Sequence, residues 1–329
     1  MLKKRIAIIG AGISGLTLAR SLEKDSDVVV FEKARGVSGR MSTRFAAPFF
    51  FDHGAQFFTA RTQRFKDFLQ PYILSGTIKE WAGKIITLEA GKKITKSMWF
   101  EPHFVASPNM NSLCKKIAEG MNVQLNCEIV SICKENADWY LMDQAGHTLG
   151  TFDWVISTAP PAQTTHLFER DLPFSAPVRS IKMNACFSLM IGFTNPWKKH
   201  WIAANVRNSP VRWIAINSTK PDRVSDLTAI VVHSNNAWAE SHKEDDLKSV
   251  EMTLLKEFES LTDMESNKAA HISIHRWKYA MYDGSESLEF YLDAEKQMAA
   301  TGDWAAASRI EEAWSNADRL ASRILTSIY

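Results

Sequence analysis

Apolar residues fill two short runs near the start of the chain, Arg5-Ile6-Ala7-Ile8-Ile9 and Val28-Val29-Val30-Phe31. Runs of this length read as buried strands. Between them Leu16, Ala19 and Leu22 recur at helical spacing, so the opening segment reads strand, turn, helix, strand. Further on, the polar and apolar alternation predicts a helix over 62–74 and a hairpin pairing 85–88 with 93–95 around Ala90-Gly91. A helix near 110–120 follows, then a strand over 123–127 that continues through Ile132. A second hairpin pairs 139–142 with 148–152 across Ala145-Gly146. The buried-strand pattern over 154–158 is stopped by Pro160-Pro161, which cannot extend a central ladder. After that the texture changes: strands over 185–193, 211–217, 228–234 and 271–277 surround a helix over 245–261. Leu247, Val250, Leu254, Leu255, Phe258 and Leu261 form that helix's apolar stripe. The segment 298–303 reads as a last strand ending in Gly302-Asp303, followed by a helix.

The first turn carries chemistry. Gly10-Ala11-Gly12-Ile13-Ser14-Gly15 lies between strand and helix, and Glu32 stands 22 residues after Gly10. Gly10 permits the tight turn, Gly12 lets backbone approach a pyrophosphate, and Gly15 lets helix and strand pack closely. The helix N-terminus offers free N–H groups and its positive dipole end to the phosphates. A carboxylate at Glu32 is placed for ribose hydroxyls and argues against a 2′-phosphate. Lys3-Lys4-Arg5 before an apolar run also fits a secretory leader, but glycines where a dinucleotide turn needs them favour the first reading.

Composition narrows the class without choosing a substrate. The chain has 329 residues, 45% of them apolar, with a formal net charge of +2, which gives no case for an obligatory nucleic-acid or anionic-membrane partner. No segment reaches the length of uninterrupted apolar sequence that a membrane span needs. Cys114, Cys127, Cys133 and Cys186 show no C-x-x-C spacing and read as reduced thiols in a cytoplasmic protein. The fold expected is α/β: a Rossmann-type nucleotide-binding domain with an inserted α+β substrate domain built on an antiparallel sheet. The boundaries expected are 1–82, 105–165 and 285–329 for the first domain, with 83–104 and 166–284 for the second.

The late Gly302-Asp303 favours FAD over a simple nicotinamide cofactor, because a long dinucleotide meets a carboxylate from a distant strand. Ser308 and Glu311 have capping-box spacing, so the last helix would present its N-terminus to a flavin ring. His271 and His275 fall on a strand, roughly 13 Å apart, which argues against a shared metal.

Gly10-x-Gly12-x-x-Gly15 with Glu32, Arg35-Gly36-x-x-Gly39-Arg40-Met41, Asp52-x-Gly54-Ala55-Gln56-Phe57 and Thr301-Gly302-Asp303-Trp304 together resemble the flavin-dependent amine oxidase superfamily. Trp213-x-Ala215-x-Asn217-x-x-Lys220-Pro221, Val231-Val232-His233 and His275-Arg276-Trp277-x-Tyr279-Ala280 resemble its renalase-type branch. The resemblance implies non-covalent FAD, since no cysteine adjoins Gly302-Asp303. It implies that Gly10 to Gly15 hold the pyrophosphate, that Glu32 holds the ribose and that Arg40 contacts phosphate. Ile129 would meet the adenine, Gly54, Ala55, Gln56 and Phe57 would line the isoalloxazine, Asp303 would hold the ribityl–pyrophosphate end, and Ile310 would present its N–H near flavin O2. Lys33, Gly39, Met41, Gly302, Arg309 and Ala313 would border the cofactor as well. His233, Trp277, Gln56, Trp213 and Asn217 are the residues implied for the substrate face. The activity implied is hydride transfer from a flat dihydropyridine, a 2- or 6-dihydro isomer of NAD(P)H, with O2 as acceptor and H2O2 as product. Amine oxidation, another desaturation, or binding without catalysis are the alternatives. Four positions depart from the pattern: Ser38 replaces a glycine, Ser308 and Glu312 stand where the last helix has glycines, and Ile216 stands where a basic residue is expected.

Overall fold

The computed structural model describes residues 3–168, 176–284, 288–305 and 309–328. The chain forms two compact units, one of Met1–Arg40, Cys114–Met183 and Tyr282–Tyr329, the other of Met41–Leu113 and Asn184–Met281. Residues 41–82 and 105–113, grouped above with the nucleotide-binding segments, pack with the second unit. The reason is local: Phe49 and Phe51 join Met190, Ala229 and Val231 in one apolar cluster.

The first unit is built on a six-stranded sheet. Its order is Tyr291–Asp293, Met298–Ala300, Trp154–Ser157, Lys4–Ile9, Ser26–Phe31, Val123–Gln124, and only the first of these runs antiparallel to its neighbour. Ile6, Ala7 and Ile8 are fully buried, as a central parallel strand flanked on both faces requires. The helix Ile13–Leu22 packs against the C-terminal helix Ile310–Ile328, and the Ser14 hydroxyl donates to the Ala313 carbonyl at 2.9 Å. The strand expected over 123–132 is two strands. Asn126 adopts a left-handed φ of 54° that breaks the extended chain, and Ile129–Glu135 continues in a separate three-stranded sheet with Asp138–Asp143 and Thr148–Phe152.

The second unit carries a seven-stranded sheet ordered His271–Tyr282, Met183–Phe193, Thr228–Ser234, Val211–Ile216, Ala203–Val206, Ile85–Leu88, Thr95–Ser97. It is antiparallel except where Ala203–Val206 meets Ile85–Leu88. The helix Leu247–Thr262 covers one face with Val250, Leu254, Phe258 and Leu261. Asp246 caps it by accepting from the Lys248 and Ser249 N–H groups. Ile272 and Ile274 pack on that same core, so the alternate residues of their strand, His271, Ser273, His275 and Trp277, belong to its opposite face. The fold is therefore the α/β arrangement expected, a Rossmann-like unit with an α+β unit inserted.

Candidate functional site

The first unit holds a cradle shaped for a nucleotide. Gly10 has φ +105°, and a Cβ there would lie 2.6 Å from Thr158 Oγ1. At Gly15 a Cβ would strike the Gly10 carbonyl oxygen at 1.9 Å, so helix and strand approach as closely as a side chain forbids. Gly12 is the opposite case: a Cβ would meet nothing within 4 Å. Gly12 is also the N-cap of the helix, with no side-chain cap, which leaves first-turn N–H groups available to an anion. Open space above uncapped N–H groups fits a pyrophosphate.

Glu32, buried at the end of its strand, steadies this loop. Its carboxylate accepts from Ala11 N and Ala34 N, both at 2.8 Å. A carboxylate has about four acceptor positions, so capacity remains for ribose hydroxyls. Ile129 is buried at the start of its strand, while Lys33 is exposed and lies 3.8 Å from Glu128. Ser38 N donates to Ala11 O at 2.9 Å, and Ser38 adopts φ 120° where the family pattern has glycine. Arg40 and Asp303 face each other in a two-point ion pair. Gly302 is required beside Trp304, since a Cβ would lie 2.4 Å from the indole nitrogen. Arg309 is exposed, Ile310 opens the last helix, and Glu312 is half-buried in its first turn. Ser308, and with it the capping box, lies outside the described residues.

The second unit gathers the other candidates around the loop 52–57. Asp52 is fully buried and accepts from Thr43 Oγ1 at 2.6 Å, Met110 N at 3.0 Å, Arg223 Nη2 at 2.8 Å and Lys220 Nζ at 3.1 Å. Burial alone would raise its carboxyl. The charges of Lys220 and Arg223, with the hydrogen bonds from Arg223 and Thr43, outweigh burial and hold it well below the usual carboxylate range. Lys220, itself buried, is pushed down to about 8, chiefly by burial, against the pull of Asp52. Lys220 also donates to Gln56 Oε1 at 3.3 Å. The Gln56 amide nitrogen donates to the Asp52 carbonyl and, at 3.0 Å, to the Gly54 carbonyl. Asn217 donates to Phe50 O at 2.9 Å and accepts from Asp52 N at 3.3 Å. Both amides therefore hold the loop in shape.

The loop's His53 carbonyl receives two donors, Trp277 Nε1 at 3.0 Å and His233 Nε2 at 3.2 Å. A carbonyl only accepts, so His233 carries its proton on Nε2 and leaves Nδ1 as an acceptor. The His53 ring stacks on Trp277 at 5.1 Å and meets His275 edge-on at 5.1 Å. Burial pushes His53 down to about 3, with His275, Arg44 and His233 adding to the effect. Burial likewise pushes His233 and His275 to about 4. All three imidazoles are neutral at pH 7.

Trp213 pairs directly across from His233 on the neighbouring strand, and its indole N–H is buried without a hydrogen-bond partner among the described residues. Its ring touches Phe57, which also meets Trp99 and His103. Ile216 is fully buried in the apolar core, which explains why a basic residue does not stand there. Among the described residues no group of histidine, cysteine and acidic side chains could hold a metal. Sequence reasoning missed His53, Arg44 and the Asp52–Lys220–Arg223 cluster as site components. Asp52, His53 and Lys220 lay within or beside quoted motifs, whereas nothing local marked Arg44 or Arg223.

Residues 8–72 match an NAD(P)-binding Rossmann-like domain, and residues 83–325 match the flavin containing amine oxidoreductase family. The chain belongs to that family and is a flavin-dependent oxidoreductase. Among solved structures it resembles a putative protoporphyrinogen oxidase from Exiguobacterium sp. 255-15 at 12% identity, with a TM-score of 0.80 over 98% of this chain and 99% of that one. It also resembles putrescine oxidase bound to putrescine, at 12% identity and a TM-score of 0.74 over 99% of each chain. At these identities the likeness is one of fold.

Proposed function

We propose that this member of the flavin containing amine oxidoreductase family uses non-covalent FAD to oxidise a flat, hydride-rich dihydropyridine, a 2- or 6-dihydro isomer of NAD(P)H. The observation that carries the reading is the geometry of the Asp52–His53 loop, whose buried carboxylate is already paired beside three imidazoles whose charging burial disfavours. His53, His233 and His275 are neutral, and the adjoining Asp52 carboxylate is committed to Lys220 and Arg223. A cationic amine would find the Asp52 carboxylate already paired and two buried cations close by, so the electrostatics among the described residues oppose it. A dihydropyridine that becomes aromatic on losing hydride needs no strong base, and this cluster offers none.

The flavin, when bound, supplies a hydride acceptor at N5 and passes electrons to O2 to give H2O2. Gly10 to Gly15, Glu32, Arg40 and Asp303 hold its nucleotide and ribityl portions, with Lys33, Gly39, Met41, Ile129, Gly302, Arg309, Ile310 and Ala313 bordering them. By the family resemblance Gly54, Ala55, Gln56 and Phe57 would line its ring. Trp277 and Trp213 give flat apolar surface to the substrate, His233 Nδ1 accepts from a substrate N–H, and Gln56 and Asn217 keep the loop rigid. Among the described residues no helix is long and apolar enough to cross a membrane. The four cysteines, none of them in a disulfide, support a reducing, cytoplasmic location.

Anaerobic stopped-flow mixing tests the reading. The 2- or 6-dihydronicotinamide nucleotides should bleach the flavin rapidly, whereas monoamines and ordinary 4-dihydro NADH should not. Rapid bleaching by an amine, with none by the dihydropyridine isomers, would give the site to amine oxidation instead.

A further inference from the structure

Arg44 is a half-buried cation that has no counterion among the described residues. It lies on the short strand Arg44–Ala46, paired across to Phe51, and among the described residues no carboxylate comes within ion-pair distance of it. Its polar contact is a long one, Nη2 to His275 Nδ1 at 3.4 Å. Guanidinium only donates, so His275 accepts at Nδ1 and carries its proton on Nε2. That leaves the remaining guanidinium N–H groups and the His275 Nε2–H as donors.

The surroundings are unusual for an ordinary surface arginine. His271 and His275 belong to one face of the His271–Tyr282 strand, and Arg44 depresses the basicity of both, as well as that of His53. His275 meets Trp277 at 4.4 Å and His53 at 5.1 Å, and Trp277 stacks on His53. The arginine therefore borders the same ring cluster that reaches His233. A partly desolvated guanidinium ringed by neutral imidazoles gains most from an oxyanion, which it can grip at two points.

We propose that Arg44 and His275 form the seat for a phosphate group of the substrate, with the substrate's ring lying along Trp277 toward His233. This rests on the dihydronicotinamide nucleotide reading and adds the determinant that separates a nucleotide from its unphosphorylated riboside. It also gives phosphate a partner in a chain where Ile216 is buried in the core. Glu251 is the acidic group that acts on His271, and it lies on the helix covering the apolar face.

The test uses the flavin-loaded protein, its Arg44→Met variant and Arg44→Lys, each first matched for flavin content by absorbance. Inorganic phosphate is titrated while the His275 imidazole resonance, assigned with His275→Asn, is followed by NMR. The resonance should shift saturably in the wild type, more weakly in Arg44→Lys and not in Arg44→Met. In anaerobic flavin reduction, Arg44→Met should raise the apparent Kd for 6-dihydronicotinamide mononucleotide about tenfold or more, the loss of one charge-assisted contact. The limiting rate, and the Kd for the riboside without phosphate, should stay as in the wild type. Loss of flavin from Arg44→Met, an equal effect on both donors, or an equal shift of His275 by acetate overturns the proposal. If no dihydropyridine reduces the flavin, the functional reading fails, and the phosphate titration still decides the Arg44 site.

Discussion

Arg40 and Asp303 stand 263 positions apart in the chain and hold each other through both terminal guanidinium nitrogens, with Nη1 to Oδ2 at 2.6 Å. The pair ties the loop after the second strand to the loop after the last one, at the open end of the parallel sheet where nucleotides bind. Asp303 is the more buried partner. Asp303→Asn should therefore lower stability by about 1.5–3 kcal/mol, the range for a hydrogen bond to a charged group, and weaken flavin retention. Thermal unfolding and the flavin-to-protein absorbance ratio after gel filtration check both. Unchanged retention would make the pair purely structural.

Gly12 and Gly15 should separate binding from folding. A methyl at Gly12 enters open space, so Gly12→Ala should keep its Tm without flavin yet lose flavin affinity, because the methyl occupies the phosphate cradle. A methyl at Gly15 meets the Gly10 carbonyl, so Gly15→Ala should lose several kcal/mol of stability, as overpacking against backbone does. The same flavin affinity in Gly12→Ala and wild type would exclude this cradle.

Ser38 bears a backbone conformation that favours glycine, with φ 120°. Ser38→Gly should stabilise the protein by about 1 kcal/mol by removing that strain. Denaturant unfolding measures it, and a loss of stability would show that the buried Ser38 side chain contributes more than its backbone costs.

The neutral histidines make stability depend on pH with a definite sign. His53, His233 and His275 have native pKa values near 3 to 4, below the 6.5 of an unfolded chain. The unfolded state therefore binds more protons between pH 6.5 and 4. Their contribution is complete above pH 6.5 and is lost as pH falls toward 4, by up to about 1.4 kcal/mol per histidine for each pH unit. His275→Asn should flatten the slope of Tm against pH in that window. An identical slope would mean that His275 titrates normally in the native protein.

The Rossmann half was legible because its evidence is local. Glycine spacing, two apolar runs and Glu32 fall within one strand–turn–helix–strand unit, and backbone sterics leave them few other ways to fold. The helix over Leu247–Thr262 was legible for a similar reason, since its apolar stripe and its Asp246 cap lie in one segment. Short strands escaped notice: Arg44–Ala46 and Phe49–Phe51 are too brief for periodicity to show, and Ala203–Val206 is Ala-Ala-Asn-Val. The candidate substrate face was legible only in part. Trp277 and His233 could be named from their motifs, but neither motif says that both donate to the carbonyl of His53, 224 and 180 residues away. Pairing Lys220 with Asp52 across 168 residues, and setting Arg44 beside His275 across 231, likewise needed the folded sheet. Sequence pattern determines which faces are apolar, because burial follows a local period; which polar groups then meet depends on strand order, and only the tertiary structure decides that.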